Sequence, residues 1–327
     1  MAGGQALVTG AGGFIASHLV ERLVGEGVSV RALCRYTSRQ DIGNLADIPD
    51  ETRAELEIVF GDLLDRDFVA KAVAGCDTVF HLAASISVPY SFVAPRQVVL
   101  TNVEGTLNVL TATLEAETTR VVHLSSSEVY GTAQYTPIDE AHPLHVQSPY
   151  AASKVGADKL AESFFLALAL PVVIARPFNT FGPRQSLRAV IPTIIAQALS
   201  SDEVKLGATS PTRDFVYVGD TVDALLRLAS EPKALGETYN IASGTDVSVV
   251  EVVTIVGQLL GRELRIVSQP ERLRPNESEV LQLCGDASKL RQAVSWEPTT
   301  SLRDGLEAVI DWMTERRPRA APDTYVV

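Results

Sequence analysis

Cysteine is scarce in this chain, with three among 327 residues. Cys34, Cys76 and Cys284 are odd in number, widely spaced and without a metal-ligand pattern, which argues against a disulfide framework and for a reducing compartment. All three are expected to be structural. Positive charge is also in short supply: 28 Lys and Arg face 40 Asp and Glu, a formal net charge of −12. Non-specific attraction to nucleic acid or to an anionic membrane is therefore excluded, and any anionic ligand must be held by a few local cations. No basic residue precedes Arg22 and no apolar stretch follows a charged start, so no secretory signal is expected. The longest apolar run, residues 164–175, is broken by Pro171 and is too short to span a bilayer. A cytoplasmic protein without membrane contact is the expectation. His142 and His145 share a proline-containing loop with Asp139 and Glu140, but a positioned third ligand is lacking, so a solvated loop and no metal are expected.

Hydrophobic residues make up 46% of the chain and charged ones 21%, enough core for one large domain or two intimately joined ones. At the N-terminus, Gln5-Ala-Leu-Val-Thr9 reads as a short buried strand that runs into Gly10-Ala-Gly12-Gly13-Phe14-Ile15-Ala16. Glycines at a strand-to-helix turn let the backbone approach a pyrophosphate, whose charge the N–H groups and dipole of the next helix stabilise. Ala16 replaces a third glycine and adds only a methyl, so close helix packing survives. Further strands are expected at residues 28–34, 56–60, 78–82, 120–125 and 172–176, with helical patterns between most of them. That alternation predicts a parallel, doubly wound α/β sheet whose ligands bind beyond the strand C-termini. After Pro177 the pattern is less regular, with helices expected at 221–229 and 249–260 and a returning strand at 237–241. Residues 316–327 read as a frayed tail.

Tyr150 and Lys154 lie four apart in Tyr150-Ala-Ala-Ser-Lys154, one turn apart on a helix face. An ammonium there is expected to favour the ionised phenol and make it a usable base. Upstream, Ser125-Ser126-Ser127-Glu128 carries a single acid. Ser125 and Ser127 read as partners of loop backbone.

Taken together, the Thr9–Ala16 turn, His81-Leu82-Ala83-Ala84, Asn102, Ser125-Ser-Ser-Glu128-Val-Tyr-Gly131 and Tyr150-x-x-x-Lys154 resemble the extended short-chain dehydrogenase/reductases. Over residues 6–312 the chain resembles their nucleotide-sugar epimerase/dehydratase branch, most of all the 4,6-dehydratases of the legionaminic acid pathway. The resemblance implies a Rossmann domain over residues 1–177 with a return segment at 214–243. A smaller substrate-binding α/β domain is implied over 178–213 and 244–315. It implies that Tyr150 and Ser126 act on the sugar C4 hydroxyl, that Lys154 holds the cofactor ribose, and that Glu128 takes the C5 proton and assists loss of the C6 hydroxyl. Glucose-type dehydratases carry Asp before this Glu; here Ser127 stands there, so Glu128 has both jobs.

The resemblance further implies a tightly bound NADP or NAD, recycled in each turnover. Gly10, Gly12, Gly13, Phe14, Ile15, Asp62, Leu63, Leu82, Ala83, Ala84, Asn102, Tyr150 and Lys154 are its implied contacts. Arg35, with Arg39, suits the 2′-phosphate of NADP, while the missing acid at Cys34 does not forbid NAD. A nucleotide-diphosphate sugar is implied at Asn179, Arg184, Val190, Arg213 and Arg274, with Ser87 reaching the hexose and arginines pairing the pyrophosphate. Apolar faces on 103–114 and 150–168 imply a homodimer. A 4,6-dehydratase, an epimerase acting at C4 or C5 or a glucuronate-type decarboxylase, and a non-catalytic cofactor sensor on the same fold all remain open.

Overall fold

The computed structural model describes residues 4–269, 271 and 278–316. Six strands account for the first half: β1 (Gln5–Thr9), β2 (Ser29–Arg35), β3 (Glu57–Gly61), β4 (Thr78–His81), β5 (Arg120–Leu124) and β6 (Val172–Pro177). The second half adds β7 (Asn179–Phe181), β8 (Glu203–Leu206), β9 (Thr212–Tyr217), β10 (Thr238–Ile241), β11 (Asp246–Ser248), β12 (Arg265–Ser268) and β13 (Gln282–Leu283). Seven of these form one sheet in the order β10-β6-β5-β4-β1-β2-β3. Every neighbouring pair is parallel. Sheets of this kind are covered on both faces and so read as continuous apolar runs. Leu7, Val8, Val79, Phe80, Val121 and Val122 are fully buried, each side chain worth about 2 kcal/mol by area removed from water.

Helices Phe14–Gly25 and Val218–Ser230 pack on one face of this sheet, where Leu19, Leu23, Val222 and Leu225 join its core. Helices Arg66–Val73, Gly105–Glu115 and Pro149–Leu168 cover the other, around Val69, Val109, Leu110 and Ala161. Strand order reverses between β1 and β4, and the crevice beyond their C-terminal ends is where this topology takes ligands. Beyond β6 the chain builds a second core from helices Val190–Ala198, Val249–Leu260 and Leu302–Glu315, with Ile191, Ile194, Val252, Leu306 and Val309 at its centre. Val218–Ser230 and β10 then return to the large sheet, as the 237–241 pattern predicts.

Three expectations need correction. The irregular stretch after Pro177 contains a small sheet of β7, β9, β11 and β13. Most of these strands span two or three residues, too short for alternation to register. His142 is not solvated: it is buried, accepts from Gln134 N through Nε2 at 3.0 Å, donates Nδ1–H to the Pro143 carbonyl at 2.8 Å, and packs on Tyr130 and Tyr135. Its ring pins the loop that precedes Tyr150. Arg316 is held by Asp47, while the remainder of the tail, from 317, lies outside the described residues. Among the described residues no helix is long and apolar enough to cross a membrane, and no cluster of His, Cys, Asp or Glu could hold a metal ion. All three cysteines are buried and free.

Candidate active site

The glycine turn after β1 is built for close approach. Gly10 has φ +67°, and a Cβ there would meet Ala83 Cα at 2.8 Å; one on Gly12 would meet the Ile42 carbonyl oxygen at 2.6 Å. Neither contact can relax, because both involve backbone. Gly13 caps helix Phe14–Gly25 without a side chain, leaving its leading N–H groups free of a side-chain partner. Across the crevice Thr9 Oγ1 accepts from Ala83 N at 3.1 Å and contacts His81 Nδ1 at 2.9 Å; His81 Nε2 lies 2.9 Å from Thr106 Oγ1. Thr106 must donate to the Asn102 carbonyl, so it accepts from Nε2–H and His81 Nδ1 accepts from Thr9. That chain fixes Leu82, Ala83 and Ala84 beside Gly10. Asn102 sits in a single π-helical turn, Leu100–Glu104, where its side chain accepts from Ser85 N at 2.7 Å and donates to Ser85 O and Ser153 Oγ. Leu63 is buried, whereas Asp62 and Arg35 are exposed at the strand ends.

The catalytic candidates converge from two elements. Ser148 caps helix Pro149–Leu168 by accepting from Ala151 N, and Pro149 starts it, so Tyr150 and Lys154 fall in the first two turns. From the end of β5, Ser126 caps a 3-10 turn, accepting from Glu128 N at 3.2 Å. The Ser126 side chain is hydrogen-bonded to the Tyr150 hydroxyl, and the Glu128 charge acts on the same phenol. Serine and carboxylate thus both act on the tyrosine. Ser127 is buried, so Glu128 is the acid this segment offers.

The phenol does not behave as its spacing from Lys154 predicts. Burial pushes Tyr150 up to about 12; the Ser126 hydrogen bond opposes this, and the Glu128 and Asp158 charges reinforce it. Lys154 Nζ instead donates to the Leu124 carbonyl at 2.6 Å. Desolvation outweighs the expected ammonium effect, so the resting phenol is neutral.

On the substrate side, Asn179 opens β7 with a buried Oδ1 that lacks a hydrogen-bond partner, a rare condition that suits a ligand donor. Arg213, on β9, is buried and pairs with Glu279 at 3.2 Å. Val190 begins its helix half-buried against the second core. Arg184, at φ +68°, reaches Glu21 and His18 on helix Phe14–Gly25 and receives Asn44 Nδ2 on its carbonyl. Burial, and then the Arg184 charge, lowers His18 to about 4, so that ring is a neutral partner. Ser87 caps the short Val88–Val93 helix by accepting from Tyr90 N. Arg274 lies outside the described residues.

A profile of GDP-mannose 4,6-dehydratases matches residues 7–309. The chain belongs to the GDP-mannose 4,6-dehydratase family. It is 35% identical to the low-salt glycan biosynthesis protein Agl12 of Haloferax volcanii over 94% of this chain and 97% of that one. It is 32% identical to the UDP-glucose 4-epimerase of Mycolicibacterium smegmatis over 95% and 99%. Among solved structures, the dTDP-glucose 4,6-dehydratase of Streptomyces venezuelae, solved with NAD bound, superposes with a TM-score of 0.85 at 30% identity, covering 96% of this chain and 98% of that one. The resemblance to the nucleotide-sugar epimerase/dehydratase branch is borne out, and with it the doubly wound sheet.

In this member of the family the buried lysine leaves a thermodynamic signature. Burial pulls Lys154 from 10.5 down to about 8, with Asp158 opposing. Between those values the unfolded chain holds a proton the folded one has released, so stability rises with pH across the window. Below it the buried ammonium costs about 3 kcal/mol. Denaturant unfolding of the wild type and Lys154→Met from pH 7 to 10 should therefore show the wild type gaining about 2–3 kcal/mol on the variant. A difference that does not change with pH would contradict the buried-ammonium assignment.

Residue spacing does not show one polar group of side chains in this structure. Asp158, Arg176, His123 and Tyr130 form a buried polar cluster directly behind Lys154. Only Asp158 carried a signal, four residues beyond Lys154 on the same helix.

Proposed function

We propose that the protein is an NAD(P)-dependent nucleotide-sugar 4,6-dehydratase. The observation that carries this reading is the position of Glu128 beside the Ser126–Tyr150 hydrogen bond. Oxidation at C4 needs a base for one hydroxyl; a carboxylate in the same pocket adds the means to remove a neighbouring C–H proton and to protonate a leaving hydroxyl.

A dinucleotide fits the residues present, because a Cβ would fill the cradle at Gly10 or Gly12 and the following helix starts without a side-chain cap. Gly10, Gly12, Gly13, Phe14 and Ile15 would hold the pyrophosphate, Asp62 and Leu63 the adenine, Arg35 a 2′-phosphate, Ala83 and Asn102 the far side, and Lys154 the ribose. When bound, the dinucleotide supplies a hydride acceptor for C4, a donor for C6, and in its oxidised form a positive charge that favours the phenolate. Tyr150 takes the C4 hydroxyl proton while Ser126 holds the oxygen. The C4 ketone acidifies C5–H, Glu128 removes that proton, and the same carboxyl gives it to the departing C6 hydroxyl, which leaves as water; once C6 has regained hydride, the C4–C5 enolate takes a solvent proton at C5 through Glu128. Asn179 and Arg213 orient the nucleotide diphosphate, with the segments 178–213 and 244–315 forming its domain. Glu279, now paired with Arg213, yields to the diphosphate. Arg184 serves as a clasp between the two lobes, since its guanidinium is engaged by Glu21 and His18. The exposed apolar side chains Leu107, on the Gly105–Glu115 helix, and Leu166, on the Pro149–Leu168 helix, support a homodimer across the faces of these two helices.

Incubation with UDP-, GDP-, dTDP- and CDP-hexoses, followed by mass spectrometry, tests the reaction class. Loss of one water is expected. Loss of carbon dioxide from a uronate, or an isobaric product of different retention, would instead make the protein a decarboxylase or an epimerase.

A further inference from the structure

The reaction above uses no charge from Asp158, yet this carboxylate is 1% exposed and sits directly behind the catalytic pair. A buried carboxylate persists only where partners compensate its lost hydration. Those partners come from three directions. Ser125 Oγ donates to Oδ2 at 2.8 Å from the end of β5. Arg176 on β6 reaches the same oxygen through Nε at 3.1 Å and its terminal nitrogen at 3.0 Å. His123 Nε2 on β5 lies 3.3 Å from Oδ1 without hydrogen-bond geometry, so that oxygen is compensated only through space. Lys154 is one turn back on the same helix face.

The Arg176 charge is divided, because the guanidinium also donates to the Tyr130 hydroxyl at 3.0 Å and lies over that ring, which in turn donates to Asn240. Burial, His123 and Lys154 keep His81 well below its usual range, and burial lowers His123 despite Asp158, so both rings facing Lys154 are neutral. Burial alone would raise Asp158, but His123, Arg176 and Lys154 together hold it below the usual carboxylate range. Among the described residues, the anion that favours a charged Lys154 is therefore Asp158. Through Ser125 the same carboxylate grips the residue that precedes Ser126 and leads into the Glu128 turn.

We propose that Asp158 is a positioning residue that locks the Ser126–Glu128 segment onto the Tyr150 helix and keeps Lys154 charged. Its catalytic meaning rests on the Tyr150–Lys154 reading given above; its electrostatic meaning does not. Titration of protein labelled at lysine Cε, with the Lys154 resonance assigned by its absence in Lys154→Met, separates the two. In Asp158→Asn the Lys154 midpoint should fall by about one pH unit or more. Asp158→Glu should return it towards the wild-type value, while Ser125→Ala should leave it in place and lower kcat several-fold at unchanged KM. An unmoved midpoint in folded Asp158→Asn overturns the proposal whatever any turnover assay gives. Asp158→Ser, which leaves room for water, replaces that variant if it does not fold; failure of both neutral variants to fold makes the carboxylate a folding element and equally overturns the proposal. A shifted midpoint in a protein that dehydrates no nucleotide sugar would refute the proposed function and leave Asp158 in its role.

Discussion

Tyr150→Phe lowers kcat by about a thousandfold or more while leaving dinucleotide affinity within a few-fold of the wild type. The ring is buried to 7% exposure, so its apolar packing survives the substitution. What is lost is the hydroxyl bonded to Ser126, and with it the base for the C4 proton. A positioned base contributes about 10²–10⁴ in rate, and here no neighbour can replace it. Ser126 is a hydroxyl far weaker as a base, and Lys154 is turned to the Leu124 carbonyl. Steady-state turnover and calorimetric titration with NAD and NADP check both halves. Retention of a tenth of wild-type kcat would remove Tyr150 from the base role. Because burial and the Glu128 charge both oppose ionisation of the phenol, turnover is also expected to climb with pH.

Glu128→Gln separates the two halves of the reaction. The amide keeps the shape of the side chain and the turn that Ser126 caps, since that cap uses the Glu128 backbone N–H. It cannot accept the C5 proton. Dehydration should fall by about 10²–10⁴-fold. Oxidation at C4 continues, so a 4-keto sugar accumulates on the protein and is recovered after rapid quenching with borodeuteride as an alcohol labelled at C4. Solvent deuterium should no longer enter C5. The companion outcome for the Glu128 charge concerns Tyr150: neutralising a carboxylate that raises the phenol should move it down, which makes C4 oxidation in the variant no slower than in the wild type. Dehydration at the wild-type rate would place the elimination acid elsewhere.

The legible parts of this molecule are those where one short segment suffices. Helix Val249–Leu260 begins and ends where its apolar spacing predicts, helped by a capping box between Ser248 and Glu251. β1 through β6 are apolar runs because both faces of a parallel sheet are covered, and the glycine turn announces itself through residues that only a close backbone approach requires. Tyr150, Lys154, Ser126 and Glu128 are legible together for the same reason: two local segments carry all four. What escaped depends on distant chain. The Arg184 clasp joins residues more than a hundred positions apart, and its guanidinium lies on the Phe14–Gly25 helix. Asp158 gathers β5, β6 and its own helix. Helical spacing reports proximity to Lys154 but says nothing of how dry the site is, and dryness decides the direction of the Tyr150 shift.

Internal transfer of hydrogen from C4 to C6 is the central claim, and a nucleotide hexose carrying deuterium at C4 tests it most directly. The account predicts a dehydrated product whose C6 methyl carries that deuterium, with C5 bearing a hydrogen from solvent. Recovery of the label at C4 of a sugar that has lost no water would contradict it and make the pocket of Tyr150 and Glu128 that of an epimerase.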